Sequence, residues 1–102
     1  MANFIRAIEE LKAGKEVKFR PHGNSMKGRV ESGELVTVAP CNPDDLQIND
    51  IVLVKVKGKV YLHLIKAFGD NKKRVLIGNN KGHDNGWTSI NQVYGKLIKV
   101  EP

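Results

Sequence analysis

The sequence predicts a mostly β domain, a coiled antiparallel sheet or barrel with one short N-terminal helix. Three observations carry this expectation. After Gly14 the pattern changes to period two, with Val17 and Phe19 alternating with Lys18 and Arg20, and short apolar stretches follow, as in strands. Glycine, proline and asparagine break these stretches at short intervals, as turns require. Helical spacing occurs only at the start, where Phe4, Ile5, Ile8 and Leu11 recur three to four positions apart.

Each element follows in order. Residues 4–13 read as an amphipathic helix, with Asn3 as N-cap and Gly14 as a left-handed C-terminal cap, making 3–14 the helical unit. Val17 and Phe19 alternate with Lys18 and Arg20 in a half-buried strand that Pro21 ends. Leu35, Val36 and Val38 form another, stopped by Pro40, and residues 40–49 form a loop. Residues 51–56 and 60–67 flank Lys57-Gly58-Lys59 as a hairpin. Gly69-Asp70-Asn71 is a further turn and residues 75–77 a further strand. Residues 78–88, with three glycines and three asparagines, read as a long loop, and residues 93–100 close the sheet. Five or six strands result, in a single domain of 102 residues with its β core over 16–101.

Composition narrows the class. A single cysteine, Cys41, excludes a disulfide framework and points to a reducing cytoplasm. No window holds the roughly 20 apolar residues of a membrane helix, and residues 1–14 lack the apolar core of a signal peptide. The net charge of +6 favours acidic partners or nucleic acid. His22, His63, His83 and Cys41 show no zinc spacing, so neither metal nor cofactor is expected.

Three side chains could carry chemistry. Ser25 follows His22-Gly23-Asn24 and precedes Met26, in a small-residue turn of the kind that exposes a hydroxyl and aligns backbone N–H groups for an oxyanion. The same tripeptide also makes ordinary turns. His63 interrupts the apolar run 60–65, and a neutral imidazole can accept a serine proton near pH 7; a half-buried structural histidine is the plainer alternative. Strand alternation sets His63 on the face of Tyr61 and Ile65 and Lys66 on the other, so Lys66 needs a bulge to reach the same site. Asp84, in the loop Asn79-Asn80-Lys81-Gly82-His83-Asp84-Asn85-Gly86, could orient an imidazole or simply form an Asx turn.

Their order gives these residues a context. Gly23-Asn24-Ser25-Met26 resembles the serine box shared by type I signal peptidases and LexA-type self-cleaving repressors, and Gly33-Glu34-Leu35-Val36 resembles its continuation. Asn49-Asp50-Ile51-Val52, Gly78-Asn79-Asn80 and Tyr94-Gly95-Lys96-Leu97 resemble later family segments, and 60–66 resembles the strand bearing the general base. The resemblance spans about residues 17–100. It implies the coiled β fold of the LexA C-terminal, signal-peptidase-like type, and hydrolysis of a peptide or protein substrate. Ser25 would be the nucleophile and His63 the general base, where bacterial members place lysine and archaeal and endoplasmic-reticulum signal peptidases place histidine. Asp84 would orient His63, and Asn24 and Met26 would border substrate and oxyanion.

The chain departs from the family at two points: Gly28 stands where proline is usual, and Asn79 replaces a loop aspartate. Neither a membrane anchor nor a DNA-binding head is expected. A homodimer is compatible with the sequence. The alternative is a binding module on the same β fold, without catalysis, in which Lys55, Lys57 and Lys59 at one hairpin and Lys72, Lys73 and Arg74 at another turn contact nucleic acid or a protein. Lysines there also protect sheet edges from aggregation.

Overall fold

The computed structural model describes residues 4–102. Helix α1 (Ile5–Lys12) ends as the glycine predicts. Gly14 adopts φ 85°, its N–H donates to the Leu11 carbonyl at 3.0 Å, and the Lys15 N–H donates to that of Glu10 at 2.9 Å, which occupies carbonyls the helix leaves open. The proposed cap Asn3 lies outside the described residues. Leu11 is buried, and Phe4, Ala7 and Ile8 pack with it against the sheet; Phe4 meets Phe19 edge-on, with centroids 5.5 Å apart.

Seven strands follow: β1 (Val17–Phe19), β2 (Leu35–Ala39), β3 (Ile51–Val56), β4 (Lys59–Gly69), β5 (Arg74–Gly78), β6 (Asp84–Ser89) and β7 (Val93–Glu101). They form one antiparallel sheet in the order β1-β2-β7-β3-β4-β5-β6. The mostly β expectation holds, but the sheet has one strand more than the sequence suggests. Residues 78–88 are not all loop, because β6 pairs with β5 along its length. Its sequence, Asp-Asn-Gly-Trp-Thr-Ser, carries no apolar alternation. Backbone pairing to β5 holds it at the sheet edge, a signal absent from hydropathy.

The central strands carry the core. In β3, Ile51 and Leu53 join the cluster beneath α1, with Val36, Val38 and Leu64. Val52, Val54 and Val56 point the other way, into a second cluster with Leu46, Ile65, Val75 and Ile77. A strand covered on both faces reads as a continuous apolar run, as β3 does. The β3–β4 hairpin closes through Lys57 at φ 51° and Gly58 at φ 82°, the left-handed pair of a type I′ turn.

Candidate active site

Residues 20–34 form a loop that fastens to itself. The Gly33 N–H donates to the Pro21 carbonyl at 2.8 Å, and the Gly23 N–H to Ser32 Oγ at 3.1 Å. Within it, the N–H groups of Arg29 and Val30 both donate to the Met26 carbonyl, and the Met26 side chain is buried in the α1-side core. Ser25 is thus displayed from a turn whose next residue is anchored.

A second tether comes from the β5–β6 connection. The Asn80 N–H donates to the Ser25 carbonyl at 2.9 Å, and Asn80 Nδ2 to the Lys27 carbonyl at 2.8 Å. Gly28 sits against this tether at φ 98°, and a Cβ there would lie 3.1 Å from Asn80 Nδ2. Its N–H donates to Glu31 Oε2 at 2.8 Å. Proline, fixed near φ −65° and lacking the N–H, cannot occupy this turn, so Gly28 marks a local geometry of its own.

His63 projects from β4, an interior strand between β3 and β5, and its backbone pairs with Val52. The imidazole stacks on Tyr61, with ring centroids 4.9 Å apart and planes at 26°; alternation along the strand puts these two on one face. Its Nε2 lies 3.1 Å from Ser25 Oγ. Its Nδ1 lies 2.6 Å from Oδ1 of Asn85, an amide oxygen that can only accept. The proton therefore resides on Nδ1, and Nε2 presents a lone pair to the serine hydroxyl. The residue is only 7% exposed. Burial pushes the His63 pKa down, the bond to Asn85 pushes it up, and the charge of His83 pushes it down further, with burial the largest influence.

Asp84 is exposed, and Asn85, one position later, meets the imidazole instead. The cause is a bulge: Ile77 pairs with Gly86 and Gly78 with Asp84, so the register shifts at Asn85, and Gly86 takes φ 129° to permit it. Bulges re-aim side chains in this way. Nothing in the sequence marks Asn85, because residues 84–89 show no alternation from which facing can be assigned. Asn79 is occupied elsewhere: its Oδ1 accepts from the N–H groups of Lys81 and His83 at 2.8 and 2.9 Å, so it shapes the loop. A second register shift falls at Lys66, between Ile65 and Ala67. Lys66 nevertheless lies against Gly78, and among the described residues it makes no hydrogen bond to Ser25. Asn24 is exposed, and its carbonyl accepts from the Lys27 N–H. The N–H groups of Ser25 and Met26 carry no hydrogen bond among the described residues.

Residues 7–98 match the sequence model of the Peptidase S24-like family. The chain belongs to this family. No curated protein matches it. The S24-like match covers β1 to β6 whole and six of the nine residues of β7, so the peptidase-like fold and the site share one continuous unit. Among the described residues of this S24-like chain, no three His, Cys, Asp or Glu side chains group as a metal site, and no helix is long and apolar enough to cross a membrane.

Proposed function

We propose that the chain is a serine peptidase domain that cleaves a peptide or protein substrate through Ser25 and His63. The observation that carries the reading is the 3.1 Å separation of Ser25 Oγ from His63 Nε2, with Nδ1 held by Asn85 in the tautomer a base requires. In the acylation step the Ser25 proton passes to Nε2 as Oγ bonds to the scissile carbonyl carbon. Collapse of the tetrahedral adduct breaks the C–N bond, and Nε2–H protonates the departing amine. Water then gives its proton to Nε2, its oxygen attacks the acyl carbon, and the released Oγ recovers the proton.

The unengaged N–H groups of Ser25 and Met26 are the donors we assign to the developing oxyanion. Asn85 is assigned the orienting role expected of Asp84. An amide fixes the tautomer but supplies no negative charge, so the imidazolium gains less support than beside a carboxylate. The parallel is the Cys-His-Asn arrangement of papain-like enzymes.

A serine-directed fluorophosphonate tests the reading, with the adduct located by mass spectrometry. Labelling at Ser25 that falls by roughly three orders of magnitude or more in both Ser25→Ala and His63→Ala, and no further in the double variant, is expected of groups that act as a unit. Equal labelling of native protein and His63→Ala would remove the base from the mechanism.

One observation favours a second reading, nucleic-acid contact. Trp87 is 42% exposed, and its indole lies against Gly69, which pairs with Arg74 across the turn that carries Lys72 and Lys73. An exposed indole beside lysines offers a stacking platform with phosphate contacts. Salt-sensitive retention of a single-stranded oligonucleotide, lost in Trp87→Ala, would support it.

A further inference from the structure

Both nitrogens of the His63 ring are engaged at its edge, Nδ1 by Asn85 and Nε2 by Ser25, so further support for the ring must come through its faces. Tyr61 takes one face, with ring centroids 4.9 Å apart and planes at 26°. The stack is set by β4, because residues two apart on a strand share a face. Their partners across β3, Val54 and Val52, are fully buried beside them, which leaves the two rings little room to turn. Charge is scarce around this imidazole. Asn85 is an amide, Asp84 is exposed, and the charge of His83 opposes that of a protonated ring. His22 and Glu31 border the same cleft as Ser25 and His63. Glu31 Oε2 accepts from the Gly28 N–H, and neither residue bonds to His63 among the described residues.

We infer that Tyr61 is a positioning residue for the base, and that its π face supports the positive charge His63 takes up when Ser25 is acylated, a part that a carboxylate would otherwise play. The inference rests on the peptidase reading of Ser25 and His63. An aromatic face attracts a cation within about 6 Å of its centroid, and more strongly where water is excluded. A planar cation such as guanidinium meets that face by stacking, and imidazolium is delocalised over a plane in the same way. His63 is 7% exposed, so water gives its charge little help. The neutral ring gains only the ordinary attraction of an aromatic pair. The added attraction arises as the Ser25 proton reaches Nε2. It therefore stabilises the transition state more than the resting enzyme, and that difference is what accelerates a reaction. The stack also holds the plane of the ring, which keeps Nε2 aimed at Ser25 Oγ while Nδ1 stays on Asn85.

The test replaces Tyr61 by leucine, by phenylalanine, and by difluoro- and pentafluorophenylalanine introduced through nonsense suppression. Fluorine drains the π face while the ring keeps nearly its size. Each protein is read twice: the His63 pKa from its NMR ring shifts, and the rate of Ser25 acylation by a small fluorophosphonate at a pH where His63 is neutral. Tyr61→Leu is expected to lower the pKa and to slow acylation by roughly 3- to 30-fold. Tyr61→Phe is expected to recover most of that loss, and the fluorinated rings to surrender it in step with their fluorine content. The Nδ1–H tautomer, held by Asn85, is expected to persist throughout. A His63 pKa or an acylation rate that is the same with pentafluorophenylalanine as with phenylalanine overturns the charge support and leaves Ser25 and His63 their roles. Absence of Ser25 labelling in the native protein removes the nucleophile reading, and the part of Tyr61 in acylation with it. The fluorinated series decides the matter even if Tyr61→Leu does not fold.

Discussion

Asn85 Oδ1 lies 2.6 Å from His63 Nδ1, on the side of the ring opposite Ser25. This contact makes two atoms of one imidazole unequal: Nδ1 donates to the amide oxygen, and Nε2 is left to accept from Ser25. An aspartate here would add a negative charge that favours the protonated ring. Asn85→Asp is therefore expected to raise the His63 pKa and to increase the rate of serine acylation by about 10-fold or more. Asn85→Ala is expected to lower it by roughly 10- to 100-fold, the size of a lost buried hydrogen bond, in kcat more than in KM. The nitrogen shifts of His63 in NMR, read beside the acylation rates, separate these outcomes from a merely structural role. Unchanged shifts in Asn85→Asp would exclude the contact.

The proposed base makes a definite pH dependence of acylation expected. The base is competent only when neutral, and burial lowers the His63 pKa from the ordinary 6.5. The rising limb of the acylation rate against pH is expected on the acid side of 6.5, so that the reaction is fully developed at neutral pH. In Asn85→Asp the limb should move to higher pH. A native limb above 6.5 contradicts the burial argument.

The same group affects stability, with a determinate sign. In the unfolded chain His63 gains its proton near pH 6.5, while the folded chain resists until a lower pH. Between those values the unfolded state binds more protons, so stability falls as pH falls, then levels off below the folded value. Above 6.5 both states are neutral and the effect vanishes. Urea midpoints from pH 7.5 to 4.5 are expected to decline less for His63→Gln than for the native chain.

Gly28→Pro restores the residue usual in signal-peptidase and LexA-like sequences, yet it is expected to harm this protein. The φ of 98°, the N–H bond to Glu31 and the nearness of Asn80 all oppose it. A destabilisation of about 3 kcal/mol and loss of Ser25 labelling are expected, read by thermal unfolding and by fluorophosphonate. An unimpaired variant would show that the turn adapts.

Gly95 lies where β7 passes under the helix. A Cβ there would meet the Ala39 carbonyl oxygen and Val38 Cγ1 at 2.8 Å and Leu11 Cδ2 at 3.0 Å. Gly95→Ala is expected to cost about 1–3 kcal/mol by overpacking. That lowers Tm by roughly 4–8 °C per kcal/mol in a domain of this size. Since Gly95 does not line the cleft at Ser25 and His63, Ser25 reactivity per folded molecule should hold.

Much of the molecule was legible in the residues. The β3–β4 hairpin is written in its left-handed turn and apolar run, and α1 in its spacing and its closing glycine. Ser25 and His63 stood out because a serine in a small-residue turn and a histidine in an apolar strand are locally unusual. Asp84 is the carboxylate the sequence offers to an imidazole, since nothing local distinguishes its facing from that of the amide at Asn85. Likewise Gly28 and Asn79 looked like losses; one suits a left-handed turn and the other knots a loop.

The sequence by itself determined the strands, the turns and the two polar groups worth watching, because period, side-chain bulk and tolerance of positive φ act over a few residues. The tertiary structure decided that the β5–β6 register slips by one residue, so that Asn85 and not Asp84 turns to the imidazole. It also decided that Asn80 ties the Ser25 turn to that connection. Both depend on hydrogen bonds between segments distant in sequence, whose register is set by the packing of the whole sheet.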